Sequence, residues 1–155
     1  MINKDHQKIV ELTKVRVFLE SYGARDAALN RTDEDIEKLQ EIISKMESDF
    51  KNNILNFETD FKFHTAIAGA TKNLIYIQLI ENIHDIIITS LKFYREILFI
   101  SDLSQRNLLK QHKSIFEAIK NSNPEKAEKM IRKHLEYVIK EYSLKVKKKG
   151  FGDTQ

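Results

Sequence analysis

Phe57-Glu-Thr-Asp-Phe-Lys-Phe-His64 decides how the rest of this chain is read. Asp60 and His64 stand four residues apart, so on a helix their side chains share one face, one turn apart. Phe57 lies about one turn before Asp60, and Ile67 about one turn after His64. A carboxylate and an imidazole therefore point where apolar side chains point, toward the interior. An ionised carboxylate buried without a partner costs several kcal/mol or more. Asp60 therefore calls for a cation, and His64 offers a neutral nitrogen beside it.

Two later histidines repeat the pattern. His112 precedes Ile115, Phe116 and Ile119, and His134 follows Met130 and Ile131 and precedes Val138, each on the apolar face of its own predicted helix. Between them, Ser122-Asn-Pro-Glu125 reads as a stop and restart, with Asn123 as N-cap and Pro124 at the first helical position. Each histidine is eleven residues from Asn123. In an antiparallel hairpin, equal distance from the bend means equal height, roughly 16 Å at 1.5 Å per residue. One Asp and three His facing inward fit a metal site of three nitrogens and one carboxylate. They fit equally a core in which each histidine is hydrogen-bonded to a neighbour. Spacing alone leaves both readings open.

The surrounding composition is that of an all-α chain. The sequence has 155 residues, enough for one domain with a real core, with one Pro and four Gly, 41% hydrophobic and 32% charged residues. A sheet needs more turn residues than this. No cysteine is present, which excludes disulfides and thiolate metal sites and is compatible with a reducing cytosol. No apolar run approaches the ~20 residues of a membrane span, and the polar start shows no signal peptide. A net charge of +3 is too mild to imply nucleic-acid binding. The expected location is the cytoplasm.

Six helices are expected. The first runs from about Asp5 to Leu29, with Ile9, Leu12, Val15, Leu19 and Tyr22 as its buried stripe. Arg16 falls within that stripe and needs an anion: Glu20 four residues on, another buried acid, or a ligand carboxylate gripped bidentately. Ala24-Arg-Asp-Ala-Ala-Leu29 is rich in small residues and permits close helix packing. Thr32 caps the second helix, whose apolar face is Leu39, Ile42, Ile43 and Met46. The third runs from about Ile54 to Ala70, and the fourth, opened by Thr71-Lys-Asn73, from about Leu74 to Phe99. The fourth is apolar on most of its circumference, from Ile75 to Leu91 and Tyr94, so a partner subunit is expected to cover part of it. His84, on this helix, reads as a pocket or core histidine. The fifth helix runs from about Asp102 to Asn121 and the sixth from Pro124 to about Lys147. The core spans about residues 8–145, and residues 146–155 read as a flexible, basic tail.

Taken together, these segments resemble a known family: the effector-binding C-terminal domain, or FCD domain, of the FadR-type branch of the GntR transcription regulators. The resemblance spans roughly Ile9 to Tyr142. It rests on Val15-Arg-Val-Phe-Leu-Glu20, Asp60-Phe-Lys-Phe-His64, Ala70-Thr-Lys-Asn73, Gln111-His112 and Arg132-Lys-His134. It implies an antiparallel bundle of six or seven helices. It implies one divalent transition metal (Zn, Ni, Mn or Fe) held by Asp60, His64, His112 and His134, and a small organic-acid effector reached by Arg16. It further implies a homodimer that meets DNA only through a winged-helix domain. The predicted first helix begins within the first ten residues, so that DNA reader is expected to lie outside this chain, which is then read as a single effector-binding and dimerisation domain.

Two rival classes remain. An open site of three nitrogens and one oxygen can activate water in a metalloenzyme. Against a di-iron enzyme, Glu-x-x-His occurs once, as Glu81-Asn-Ile-His84, and His-Glu-x-x-His is absent. No evident general base accompanies the proposed ligands. The other rival is a metal-free structural dimerisation domain.

Overall fold

A computed structural model describes residues 2–91 and 102–150, with side chains over 7–89 and 104–148. Six helices and no strands occur among the described residues: α1 (Ile2–Asn30), α2 (Asp33–Lys51), α3 (Phe57–Ala70), α4 (Leu74–Leu91), α5 (Asp102–Lys120) and α6 (Pro124–Gly150). The expected all-α antiparallel bundle is the one observed. The expected continuation of α4 through Tyr94 to Phe99 and the end of the tail (151–155) lie outside the described residues.

Local chemistry sets the helix ends. Thr32 and Asp35 form a reciprocal capping box at the start of α2. Asn73 accepts from the Tyr76 N–H at 3.1 Å, and Asn123 from the Lys126 N–H at 3.1 Å, ahead of Pro124. The third helix begins at Phe57 rather than the expected Ile54, because Asn56 is its cap, accepting from the Thr59 N–H at 3.2 Å. Asn53, Lys72 and Ser122 close three of the turns with positive φ (54°, 61° and 50°), a region that costs a non-glycine residue roughly 1–2 kcal/mol.

α1 runs against α6 for most of its length and also touches α3, α4 and α5; α2 packs on α3 and α5, and α4 on α1 and α3. Five helices share the main core. Ala24, Ala27 and Ala28 of α1 meet Leu39 and Ile43 of α2, Phe63 and Ile67 of α3, Ile115 and Ile119 of α5, and Ile131 and Leu135 of α6. The alanines let α1 approach closely, as their size suggests. α4 stays outside this core and buries Tyr76, Ile80, Ile83 and Ile87 in two smaller clusters.

The buried face of α1 differs from the apolar stripe expected of it. Val15 and Tyr22 face outward, whereas Thr13, Arg16, Val17, Glu20 and Ser21 are buried. The inward face is polar in the middle because that part of α1 borders the site described next.

Candidate metal centre

α3 places Asp60 and His64 one turn apart, α5 brings His112 and α6 brings His134. One candidate ligand atom from each of these four residues lies within 4.8 Å of those from the other three. Nε2 of His112 is 2.9 Å, and Nε2 of His64 4.0 Å, from Oδ1 of Asp60. The rings of His112 and His134 have centroids 4.4 Å apart across the α5–α6 hairpin, and His64 stacks on His134 at 5.4 Å. The equal-height argument from Asn123 is realised. The three histidines are buried, while the Asp60 side chain keeps 33% of its exposure.

Outer partners fix two of the rings. Nδ1 of His64 lies 2.5 Å from Oε2 of Glu20, and Nδ1 of His134 lies 2.9 Å from Oε1 of Gln111. Both oxygens only accept, so each Nδ1 carries the proton and each Nε2 keeps a lone pair. Nε2 of His64 is buried with no hydrogen-bond partner, whereas Nε2 of His112 has the Asp60 carboxylate beside it. Buried polar atoms are rarely left so. A buried nitrogen left unpartnered beside a carboxylate is a set that a cation could satisfy. A buried Asp/His cluster able to hold a metal is therefore present.

Electrostatics keep the cluster in a form that could take a cation. Burial pushes His64 and His134 below the ordinary histidine value, so both stay neutral. Burial alone would raise the Asp60 carboxyl, but His112 in contact and the neighbouring His64 outweigh it and hold Asp60 well below the usual carboxylate range. Glu20 behaves likewise: Arg16 and His64 outweigh burial and keep it ionised.

Arg16 pairs with Glu20, the first of the anions expected for it. Its Nε is 2.5 Å from Oε1 of Glu20, while its Nη2 is buried without a partner. Arg16, Asp60 and His112 line one cavity of about 190 Å³ bordered by α1, α2, α3, α5 and α6. His84 stands on the far side of Glu20, its Nδ1 3.3 Å from Thr65 Oγ1 and its ring 5.0 Å from Phe61. It is adjacent to the cluster and not a member of it. Sequence reasoning saw Glu20 only as a partner for Arg16. Its contact with His64 was legible only in that Glu20 shares the buried face of α1 with Arg16. Gln111 stood in the sequence beside His112, yet its side chain serves His134.

The FCD domain profile matches residues 11–137. The chain is 30% identical over 130 residues to the HTH-type transcriptional regulator LutR of Bacillus subtilis, covering 83% of this chain and 59% of that protein. It is 29% identical to the HTH-type transcriptional repressor NanR of Edwardsiella tarda (84% and 50% covered). It is 27% identical to the putative L-lactate dehydrogenase operon regulatory protein of Escherichia coli (83% and 49% covered). The chain thus spans about half the length of these relatives. Its fold is that of Streptococcus agalactiae GntR (TM-score 0.72, 20% identity, 90% of this chain and 60% of that one). It is equally that of E. coli McbR/YncC (TM-score 0.73, 17% identity, 89% and 65%).

Proposed function

The chain belongs to the FCD domain family, and on that premise we propose that it is the effector-sensing and dimerisation part of a GntR/FadR-type transcription regulator. In this reading Asp60, His64, His112 and His134 hold one divalent transition metal, and a small carboxylate is the effector. The observation that carries it is the convergence of Asp60, His64, His112 and His134, whose candidate atoms lie within 4.8 Å of one another, with His64 Nε2 buried and unpartnered among them. A bound metal would supply a Lewis-acidic point for an effector carboxylate. Arg16 Nη2, buried and unpartnered, is the donor that this chain adds to it. Imidazole and carboxylate together admit Zn, Ni, Fe or Mn.

Sensing follows from connectivity. The four ligands tie α3, α5 and α6 together, and Glu20 couples them to α1. An effector that engages Arg16 changes what Glu20 and His64 experience, and so favours one arrangement of α1 on the bundle. An attached winged helix would read that arrangement as a change in DNA affinity. Leu74 and Ile75 of α4 (79% and 76% exposed) and Phe18 of α1 (72%) form the outward apolar surface proposed for the dimer. Among the described residues no helix is long and apolar enough to cross a membrane, and the proposed location is cytoplasmic.

The test is metal content by mass spectrometry on protein purified without a metal-affinity tag, beside the His112→Ala/His134→Ala variant. About one metal per chain, lost in the variant, is expected. No metal after exposure to Zn, Ni and Mn would leave a hydrogen-bonded core and remove the sensing mechanism. In the full-length regulator, effector affinity should differ with and without operator DNA, and equal affinities would remove the coupling.

A further inference from the structure

The cavity beside the candidate metal centre reaches the surface at one described place. Of the described residues that line it, only Ile54 and Leu55 are exposed, at 49% and 41%. Both stand in the connection between α2 and α3, residues 52–56. Among the described residues, that connection is the one wall of the cavity that is not helical. Behind it every described wall residue is buried or half-buried, from Ile9 and Thr13 of α1 to Tyr142 of α6.

Little ties this connection to the bundle. The amides of Asn52, Asn53 and Ile54 donate back to the carbonyls of Ser48, Phe50 and Asp49, all in the last turn of α2, at 3.1, 3.2 and 2.8 Å. The reversal falls on Asn53, at a φ of 54° that asparagine adopts more readily than most residues. On the α3 side the tie is one buried carboxylate. Asp49 accepts from Asn56 Nδ2 at 3.0 Å and from Thr59 Oγ1 at 3.4 Å, and pairs with Lys45. Among the described residues no hydrogen bond runs from residues 52–56 to α1, α4, α5 or α6. Segments with so few ties open locally while the core stays folded.

We propose that residues 52–56 are the gate of the cavity and Asp49 its latch. Breaking the bonds of Asp49 to Asn56 and Thr59 lets Ile54 and Leu55 swing about Asn53, and a small solute then reaches the interior as far as Thr13 and Asp60. The gate concerns access alone and holds whatever the cavity binds.

The chain has no cysteine, so one introduced thiol reports access. Thr13→Cys puts it on the buried cavity wall; Ser21→Cys puts it at a buried site of the same helix that does not line the cavity. Each is labelled with a small aromatic disulfide, in the otherwise unchanged chain and with the latch broken. Asn56→Asp can still cap α3, but it loses the bond to Asp49 and sets a second carboxylate against it. It should speed labelling at position 13 at least about tenfold, the worth of a hydrogen bond to a charged group, and leave position 21 unchanged. Thr59→Val, which removes the weaker bond and keeps the shape, should act in the same direction by less, and serves if Asn56→Asp does not fold. No acceleration at position 13, or equal acceleration at both positions, would overturn the gate. Labelling needs neither metal nor effector, so its outcome is separate from that of the sensing reading.

Discussion

The carboxylate of Glu20 meets Nδ1 of His64 at 2.5 Å, from a helix that contributes no residue to the four-membered cluster. That contact decides which nitrogen of His64 is free. Glu20→Ala should lower metal affinity about 10- to 100-fold, the usual cost of losing such an orienting partner. Glu20→Gln, which can still accept from Nδ1, should cost less. Competition against a chromogenic chelator measures both. Unchanged affinity in Glu20→Ala would show that His64 is held by packing alone.

Acid should unfold the metal-free protein early. His64 and His134 have folded-state values below the ordinary 6.5, because burial disfavours their charge. A histidine depressed in this way stabilises the fold above its unfolded value, and the contribution is lost as pH falls from 6.5 through the folded value. Glu20 and Asp60, also depressed, withdraw their support in the same direction, only below about 4.5 and 3.8. The melting temperature of chelator-treated protein should therefore drop between pH 7 and 5. Metal should dissociate over the same range, since the ligands must be neutral imidazoles. A flat profile, or metal retained at pH 4.5, would contradict histidine ligation.

Gly23 is the place where α1 admits α4. A Cβ built there falls 2.0 Å from the Tyr76 hydroxyl oxygen, whose proton goes to the Leu19 carbonyl at 3.0 Å. In an ordinary helix Gly→Ala gains up to about 1 kcal/mol. Here Gly23→Ala should instead destabilise by about 1–3 kcal/mol, as overpacking does. Combining it with Tyr76→Leu should recover part of the loss. Urea melts of the single and double variants test this.

The outward face of α4 gives a separate prediction. Ile75→Glu places a charge on an exposed apolar residue, so the isolated chain should keep its helicity. With the proposed dimer as the starting state, its mass by light scattering should fall toward that of a monomer. A dimer that survives this change, and Phe18→Glu with it, would place the contact elsewhere.

The legible parts of this structure were those where polarity and periodicity agree. The α5–α6 hairpin follows from Asn123 and Pro124, and the meeting of His112 and His134 follows from the hairpin. Asp60 and His64 on one face needed only the helical repeat. The buried face of α1 was legible in part. A hydrophobic count selects Val15 and Tyr22, whereas the interior takes Arg16, Glu20 and Ser21, because buried polar groups that satisfy one another leave no apolar signature. Glu20 and Gln111 act across helix pairs that no local spacing connects.

The four cluster residues are drawn from distant parts of the chain, from residue 60 to residue 134. An ion bound there would join three helices of the folded chain and find no preformed site in the unfolded one, so its binding energy would become folding energy. The domain would then respond to metal supply through its abundance. In a metal-starved cell the chain would be cleared by proteases before it could misreport an effector. Half-life under chelation, compared between the wild-type chain and the His112→Ala/His134→Ala variant, would read out that second form of control.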